Sequence, residues 1–528
     1  MGDELSSKQM FKGALLLTLS SLISKVLSAG YRIPLQNITG DKGFYIYQQI
    51  YPFLGMALIL ALYGYPAAIS MLVAERKERG DSISFSSFYI PIFALLVVFN
   101  ATLFYVLFAE AHTLAAWMGD ENLVLPLKVA SFTFLVIPVT SLFRGVFQGI
   151  NNMQPTAISQ IIEQVFRVTI ILFSALFLVN QGRDVYEIGI GAAFASLIGT
   201  GMAALFLLVV WARRIPLKKS SSIIKWGQYV KTIFFHGIFI CLNYMMLLLF
   251  QMADAFTLVP GLMDFGFVKQ EAMSWKGVFD RGQPLIQLGT VLGSSIALAL
   301  IPTVTKKRLE RAPGMLYKHI HSAWKFSFYI SAGATAGMVS IFPFMNQLLF
   351  EDNSGTFSLR ILAVAVFVTS LAITVSSILQ GLGKVRITAG FVVIGVLVKW
   401  VLNGFLVPGF GITGSAAATV ISVTIVLFLN IFQLKRTAPP VKLARVNWYA
   451  LIVALGSMLV FLAGMGLMAE YLFTITARWE YLVYTLFVSV TGGIIYLGAV
   501  VRCNGFTKEE LEYFPYGHVL VKISDRRK

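Results

Sequence analysis

Apolar residues run along this chain in long blocks, separated by short polar segments. A helix that crosses a bilayer needs roughly 20 mainly apolar residues. Sliding that template along the sequence predicts helices at 10–35, 46–74, 87–109, 124–148, 155–179, 187–211 and 231–253. It predicts others at 281–304, 320–349, 358–381, 386–408, 411–434, 447–470 and 481–502. The expected fold is an all-α integral membrane protein of about fourteen transmembrane helices, since a bilayer demands that each span satisfy its own backbone.

Composition agrees. Of 528 residues, 57% are hydrophobic and 13% charged, about half the charged share usual in soluble domains. The mean hydropathy is +0.77. A polar N-terminus leads straight into the first apolar block with no small-residue cleavage site, which reads as an uncleaved helix rather than a signal peptide.

The stretch from Arg144 to Arg167, RGVFQGINNMQPTAISQIIEQVFR, joins two of these blocks through a short polar turn. Arg144, Glu163 and Arg167 lie where the chain should be in the bilayer. Charge at that depth costs a few kcal/mol per residue, so it pairs or lines a polar cavity. Glu163 and Arg167 are four apart, acid before base, the favourable order for an intrahelical ion pair. Pro155 stands where a new helix would begin.

The stretch has a second copy, SILQGLGKVRITAGFVVIGVLVKW, starting at Ser377. Gln148-Gly149 matches Gln380-Gly381, Thr156-Ala157 matches Thr388-Ala389, and Arg167 matches Lys399, all 232 positions apart. Gly395 replaces Glu163, so Lys399 is expected to face a cavity or another helix. Fainter echoes link Pro66 with Pro302 and Gly191-Ala192-Ala193 with Gly414-Ser415-Ala416. Such regularity marks an internal duplication. An offset of six helices preserves direction, giving parallel repeats. The expected organisation is a six-helix lobe at 1–212, a basic linker at 213–230, a second six-helix lobe at 231–436, and two appended helices with a tail at 437–528.

Charge sets the orientation. Arg76, Lys77, Arg79, Arg213, Arg214, Lys218, Lys219, Lys225, Lys306, Lys307, Arg308 and Arg311 fall in alternate loops, as do Lys435, Arg436, Lys442, Arg445 and the closing Arg526-Arg527-Lys528. Loops of the other side are short and often acidic, as at Asp120-Glu121 and Glu351-Asp352. Basic loops mark the cytoplasmic side, so both termini are expected there. The net charge of +17 is thereby accounted for, and no nucleic acid partner is expected. Cys241 and Cys503 suggest no disulfide, and the His319/His321 pair lacks the further ligands of a metal site. No phosphate-binding loop, nucleophile elbow or metalloprotease motif is present.

Helix one carries Ser21, Ser24, Lys25, Ser28 and Arg32 at steps of three, four and seven, a polar stripe expected to line a cavity. Helix seven brings His236, Asn243 and Asp254 near one face. Helix eight opens on Asp280-Arg281, followed by Gln283 and Gln287. The segment between, Phe256 to Phe279, is too polar to span and reads as an outer-surface segment, in the form of a loop or an interfacial helix. Gly145, Gly149, Gly189, Gly191 and Gly414 read as helix-packing residues.

Several of these stretches together resemble the multidrug/oligosaccharidyl-lipid/polysaccharide exporter superfamily. They are SKVLSAGYRIPLQNITGD at Ser24, GYPAAISMLVAE at Gly64, the Arg144–Val168 stretch, FDRGQPLIQLGTVLGSSIALALIP at Phe279 and LQGLGKVRITAG at Leu379. The nearest branch looks like the stage V sporulation protein B and polysaccharide-export family, relatives of the lipid II flippase. The resemblance implies fourteen helices, two lobes around a central cavity, and alternating access that moves a lipid-linked sugar outward. In the lipid II flippase, arginines on helices one, two and eight line that cavity. Carried over, they point to Lys25, with Arg32 near but out of register, and to Arg281 beside Asp280. Gln48 and Gln49 stand on helix two where a base would be expected. Asp254 and Asn243 complete the expected cavity set.

A lipid pyrophosphate keeps its charge while crossing, so a basic, hydrated cavity must replace its water. The expected partner is a polyprenyl-(pyro)phosphate-linked glycan among membrane lipids, moved by a monomer without cofactor and driven by an ion gradient or the membrane potential. A cation-coupled drug exporter of the same fold would instead want acids in the cavity. A membrane-bound polysaccharide-synthesis enzyme would need acidic residues in sizeable outer loops, where only Asp264, Glu271 and Asp280 stand.

Overall fold

The computed structural model describes residues 17, 19–81, 83–214, 224–300, 313–438, 446–471, 475 and 477–511, with backbone only at 296–300. Pro302, Lys218, Lys219, Lys306, Lys307, Arg308, Arg311, Lys442, Arg445 and the closing basic tail lie outside the described residues. Two compact units divide the chain, Met1–Asp280 and Arg281–Lys528.

In the first unit a helical run at 19–30 (α1) turns at Tyr31 into α2, Arg32–Ile59. Gly40, with φ of 66°, interrupts α2; a residue with a Cβ would be strained there. A π-helical turn at Leu60–Gly64 leads into α3, Tyr65–Glu78. Then follow α4 (Ile90–Ala109), α5 (Ala111–Trp117), α6 (Val124–Ser131) and α7 (Thr133–Gly149). Helices α8 (Gln154–Asn180) and α9 (Tyr186–Arg214) pack along each other. Next come α10 (Trp226–Val230), a π-helical segment at Lys231–Gly237, α11 (Ile238–Tyr244), α12 (Met246–Asp264) and α13 (Lys269–Asp280).

Small residues let these helices approach. Gly145 and Gly149, one turn apart on α7, meet Ile69 and Val73 of α3, where an added Cβ would lie about 2.5 Å and 2.4 Å from their Cβ atoms. That is the close crossing expected of small residues spaced by four in a membrane. Gly277 of α13 is tighter still: a Cβ there would sit 2.2 Å from the Asp41 carbonyl oxygen on α2.

Residues 231–280, expected in the second lobe, pack with the first unit: Lys231–Gly237 lies along α3, and α13 along α2. The segment from Phe256 is helical. Helix α12 continues through it to Asp264, and α13 is helical, with Ala272, Met273 and Val278 buried. The face counted for His236, Asn243 and Asp254 assumed one straight helix. The π turns and the break at Met245 interrupt the 100° rotation on which that count rests.

The second unit contains α14 (Gly282–Leu300), α15 (Pro313–Phe350), α16 (Thr356–Ala363) and α17 (Ala365–Gly381). Helix α18, Val385–Thr437, is broken at Gly411, φ 55°. It is followed by α19 (Trp448–Tyr471), α20 (Arg478–Arg502) and α21 (Lys508–Leu511). Helix α15 has 38 residues, about 57 Å at the usual rise, well beyond a hydrocarbon core of about 30 Å. It packs against α14, α17, α19 and α20 and so anchors the unit. Eleven helical runs among the described residues are long and apolar enough to span a membrane.

Candidate functional site

Helix α8 is apolar outward and polar inward. Thr156, Ser159, Gln160, Glu163, Gln164 and Arg167 recur every three or four residues and are buried, whereas Ile158, Val165 and Phe166 are exposed. A soluble helix would show the opposite arrangement. The buried face organises the polar core of the first unit.

Glu163 is its centre. It accepts from Arg144 Nη2 at 2.8 Å, from Arg167 Nη2 at 2.7 Å and from Thr200 Oγ1 of α9 at 3.0 Å. Arg144 donates further through Nε to Ser159 Oγ at 3.0 Å and through Nη1 to the Ala61 carbonyl at 3.3 Å. Ala61 belongs to the π-helical turn, whose altered bonding redirects a backbone carbonyl toward the arginine. Desolvating ions costs several kcal/mol each, repaid only when their hydrogen bonds are met. Arg144 and Glu163 meet that condition.

Arg167 also lines a cavity of about 10 Å³ together with Ser28, Tyr31, Tyr47, Tyr51 and Ser196. Tyr31 and Tyr47 share a hydrogen bond between their hydroxyls. Arg32 stacks on Tyr51, its guanidinium carbon 3.8 Å from the ring centroid. The helix-one stripe therefore divides. Lys25 is half-buried, but Arg32 is wholly buried, within the first unit and beside the tyrosines.

A second polar centre is Asp120, which follows Gly119, φ 77°. It accepts from Tyr186 at 2.8 Å and Tyr45 at 3.2 Å, with Lys269 Nζ 3.6 Å away. Gln49 donates to the Ala255 carbonyl at 3.1 Å, and Gln48 is buried nearby on α2. Asn243 donates to the Phe239 carbonyl, one turn earlier, at 2.8 Å. Asp254 is fully buried on α12.

Arg281 holds Asp352 with both prongs, Nη1 to Oδ1 at 2.7 Å and Nη2 to Oδ2 at 2.8 Å, while Asp280 bonds Lys276 one turn before it. A guanidinium fork matches a carboxylate in this way, and a lysine cannot reproduce it. Lys399 is fully buried on α18 and donates to Thr419 Oγ1 at 2.8 Å. His319 is half-buried, and no group of three or more His, Cys, Asp or Glu among the described residues could hold a metal.

Sequence reasoning gave the tyrosines no role and took Asp352 only as part of an acidic outer loop. The tyrosines were visible in YIYQQIY at Tyr45. Asp352 was visible in the repeat, since it stands 232 positions after Asp120.

Residues 10–308 match the family described as polysaccharide biosynthesis protein. Over its whole length the chain is 35% identical to the uncharacterized membrane protein YabM of Bacillus subtilis (strain 168), covering 99% of it. The chain belongs to the polysaccharide biosynthesis protein family. With that family it belongs to the exporter superfamily its motifs resemble, and it is a multi-pass integral membrane protein. It is 26% identical to the lipid II flippase MurJ of the same organism, with 82% of this chain and 84% of that protein covered. A solved structure of lipid II flippase MurJ in an inward closed conformation matches with a TM-score of 0.65 and 12% identity, over 92% of this chain and all of that one. At such identity the likeness is one of fold: all-α and multi-spanning.

Proposed function

We propose that the protein is a flippase that carries a lipid-linked oligosaccharide or a cell-wall polysaccharide precursor across the cytoplasmic membrane by alternating access. Fourteen helices, as two parallel six-helix lobes and two appended helices, with both termini cytoplasmic, are the architecture of this reading. A polyprenyl-(pyro)phosphate headgroup would meet Lys25 and Arg281, and the acyl chain would stay in lipid. The chain makes and breaks no bond; an ion gradient or the membrane potential drives it, and the monomer suffices.

The observation that carries the reading is the sign of the buried charge. In the first unit Glu163 is shared by two arginines, Asp280 is bonded by Lys276, and Asp120 by two tyrosines and Lys269. A cationic drug would need an uncommitted acid at membrane depth; these acids are committed. Likeness to the lipid II flippase MurJ over most of the chain supports the same substrate class.

Depletion of the gene tests the reading. Lipid-linked sugars extracted from depleted cells should include one species that accumulates on the inner leaflet. An unchanged lipid-linked pool combined with sensitivity to cationic dyes would favour the drug exporter.

A further inference from the structure

Arg281 grips a carboxylate the way an arginine grips a phosphate. Its guanidinium presents two N–H groups to the two oxygens of Asp352, at 2.7 Å and 2.8 Å. Phe350 lies beside it, with the ring centroid 5.2 Å from the guanidinium carbon. A phosphoryl group offers paired oxygens to the same planar fork. The two partners differ in burial: Arg281 is 1% exposed and Asp352 42%.

The turn between α15 and α16 has other ties than this bridge. Asp352 Oδ1 accepts from the Ser354 backbone N–H at 2.7 Å. Asn346 of α15 donates to the Ser354 carbonyl and to Thr356 Oγ1, each at 3.0 Å. The first unit builds the corresponding turn without an arginine. Asp120, 232 positions earlier, accepts from the Asn122 backbone N–H, and its wholly buried carboxylate meets the Tyr45 and Tyr186 hydroxyls, with Lys269 nearby. The arginine fork is therefore an addition in the second unit. Desolvating an ion is costly. On leaving the fork, half-exposed Asp352 regains water, whereas buried Arg281 needs another anion in its place.

We propose that Asp352 is an internal competitor for phosphate: its carboxylate occupies the Arg281 fork, and a phosphoryl group binds by displacing it. The natural ligand, the pyrophosphate of a lipid-linked sugar, is taken from the transport reading; the exchange of anions is what is added to it. Exchange keeps Arg281 neutralised before and after binding. It also discriminates, because a neutral or cationic ligand cannot take the place of the carboxylate. As the ligand departs, Asp352 returns to the fork, so a strong phosphate contact does not trap the substrate.

The test titrates inorganic pyrophosphate into the purified full-length protein at constant ionic strength. Asp352→Asn keeps an oxygen for the Ser354 N–H but offers Arg281 no anion. It should bind pyrophosphate more tightly, on the order of tenfold, the factor for a fork closed about nine-tenths of the time. Adding Arg281→Gln should abolish the gain. Arg478→Gln, which breaks the exposed pair with Glu351 in the same turn, should leave the affinity unchanged. Binding no tighter in Asp352→Asn than in the unaltered protein, or a gain that survives Arg281→Gln, overturns the proposal. Should Asp352→Asn fail to fold, a structure of the unaltered protein with pyrophosphate decides. Phosphoryl oxygens on Arg281 with Asp352 turned away are expected, and an intact bridge overturns the exchange. Neither experiment measures transport, so failure here leaves the flippase reading to its depletion test, and failure there leaves the exchange to these titrations.

Discussion

Helices α6 to α8 of the first unit and α16 to α18 of the second share a register and differ in charge. Val124–Ser131 and Thr356–Ala363 are both eight residues, and Thr133–Gly149 and Ala365–Gly381 both seventeen, each displaced by 232. The left-handed turn residues follow the same displacement, Gly119 with Glu351 and Asn151 with Gly383. So do Asp120 and Asp352, each accepting from a backbone N–H two residues on. Within this shared frame, Arg144 and Glu163 become Ser376 and Gly395, while Arg167 becomes Lys399. One positive and one negative charge leave together, and one base stays. The backbone plan is thus set by turns and helix breaks, and the Arg144–Glu163 bridge is a neutral addition to it. What both units keep is a buried base beside a hydroxyl: Arg167 shares its cavity with Ser196, and Lys399 donates to Thr419. Aligned by Gly191 and Gly414, Ser196 and Thr419 correspond.

Breaking the bridge on one side should have the largest effect. Glu163→Gln leaves two buried arginines facing each other and should cost about 3–5 kcal/mol, seen as lost thermal stability. Arg144→Ser should be milder, because Glu163 keeps Arg167 and Thr200. The double change Arg144→Ser with Glu163→Gly, which writes the second unit's residues into the first, should recover much of the loss. If the double variant melts as low as Glu163→Gln, the two residues are not a removable unit.

Next in size is the outer turn of the second unit. Asp352→Asn breaks a two-pronged bridge to a buried arginine and should cost about 1.5–3 kcal/mol. A melting temperature unchanged from that of the unaltered protein would contradict it.

The same bridge carries a pH dependence. Burial raises the Asp352 carboxyl, but hydrogen bonds from Arg281 and the Ser354 backbone outweigh it and hold the group below the usual carboxylate range. A depressed value stabilises the fold above the unfolded pKa of about 3.9 and loses that contribution as pH falls through the folded value. Stability should therefore decline below about pH 4, and Asp352→Asn should flatten that part of the profile. An identical acid limb in both proteins would contradict the assignment.

Smallest is the effect expected at Lys399. Lys399→Gln keeps a donor for Thr419 and should cost about 0.5–1.5 kcal/mol. A loss as large as that of Glu163→Gln would show that the second unit depends on its buried charge as much as the first.

The membrane-spanning blocks, the duplication and the Glu163–Arg167 spacing were all legible because each depends on near neighbours or on exact repetition. Arg144 completing the Glu163 bridge was not, since it joins two different helices, and its further bond to the Ala61 carbonyl falls in a π turn that leaves no mark in LALYG. The fate of Arg32 was hidden for a related reason. Helical spacing put it on a stripe with Lys25, but the turn at Tyr31 and the tyrosines of α2 draw it inward. Residues 231–280 were assigned by counting helices, and a count cannot see that Gly277 lets α13 settle onto Asp41.

The most direct test of the transport claim is translocation by the purified protein. Proteoliposomes carrying a fluorescent polyprenyl-pyrophosphate-linked sugar would be scored for headgroup exposure to a membrane-impermeant quencher, with and without the protein. Protein-dependent movement of the headgroup between leaflets, slowed by Lys25→Gln, is the expected result. Movement no faster than in protein-free vesicles, under every imposed ion gradient and potential, would contradict it.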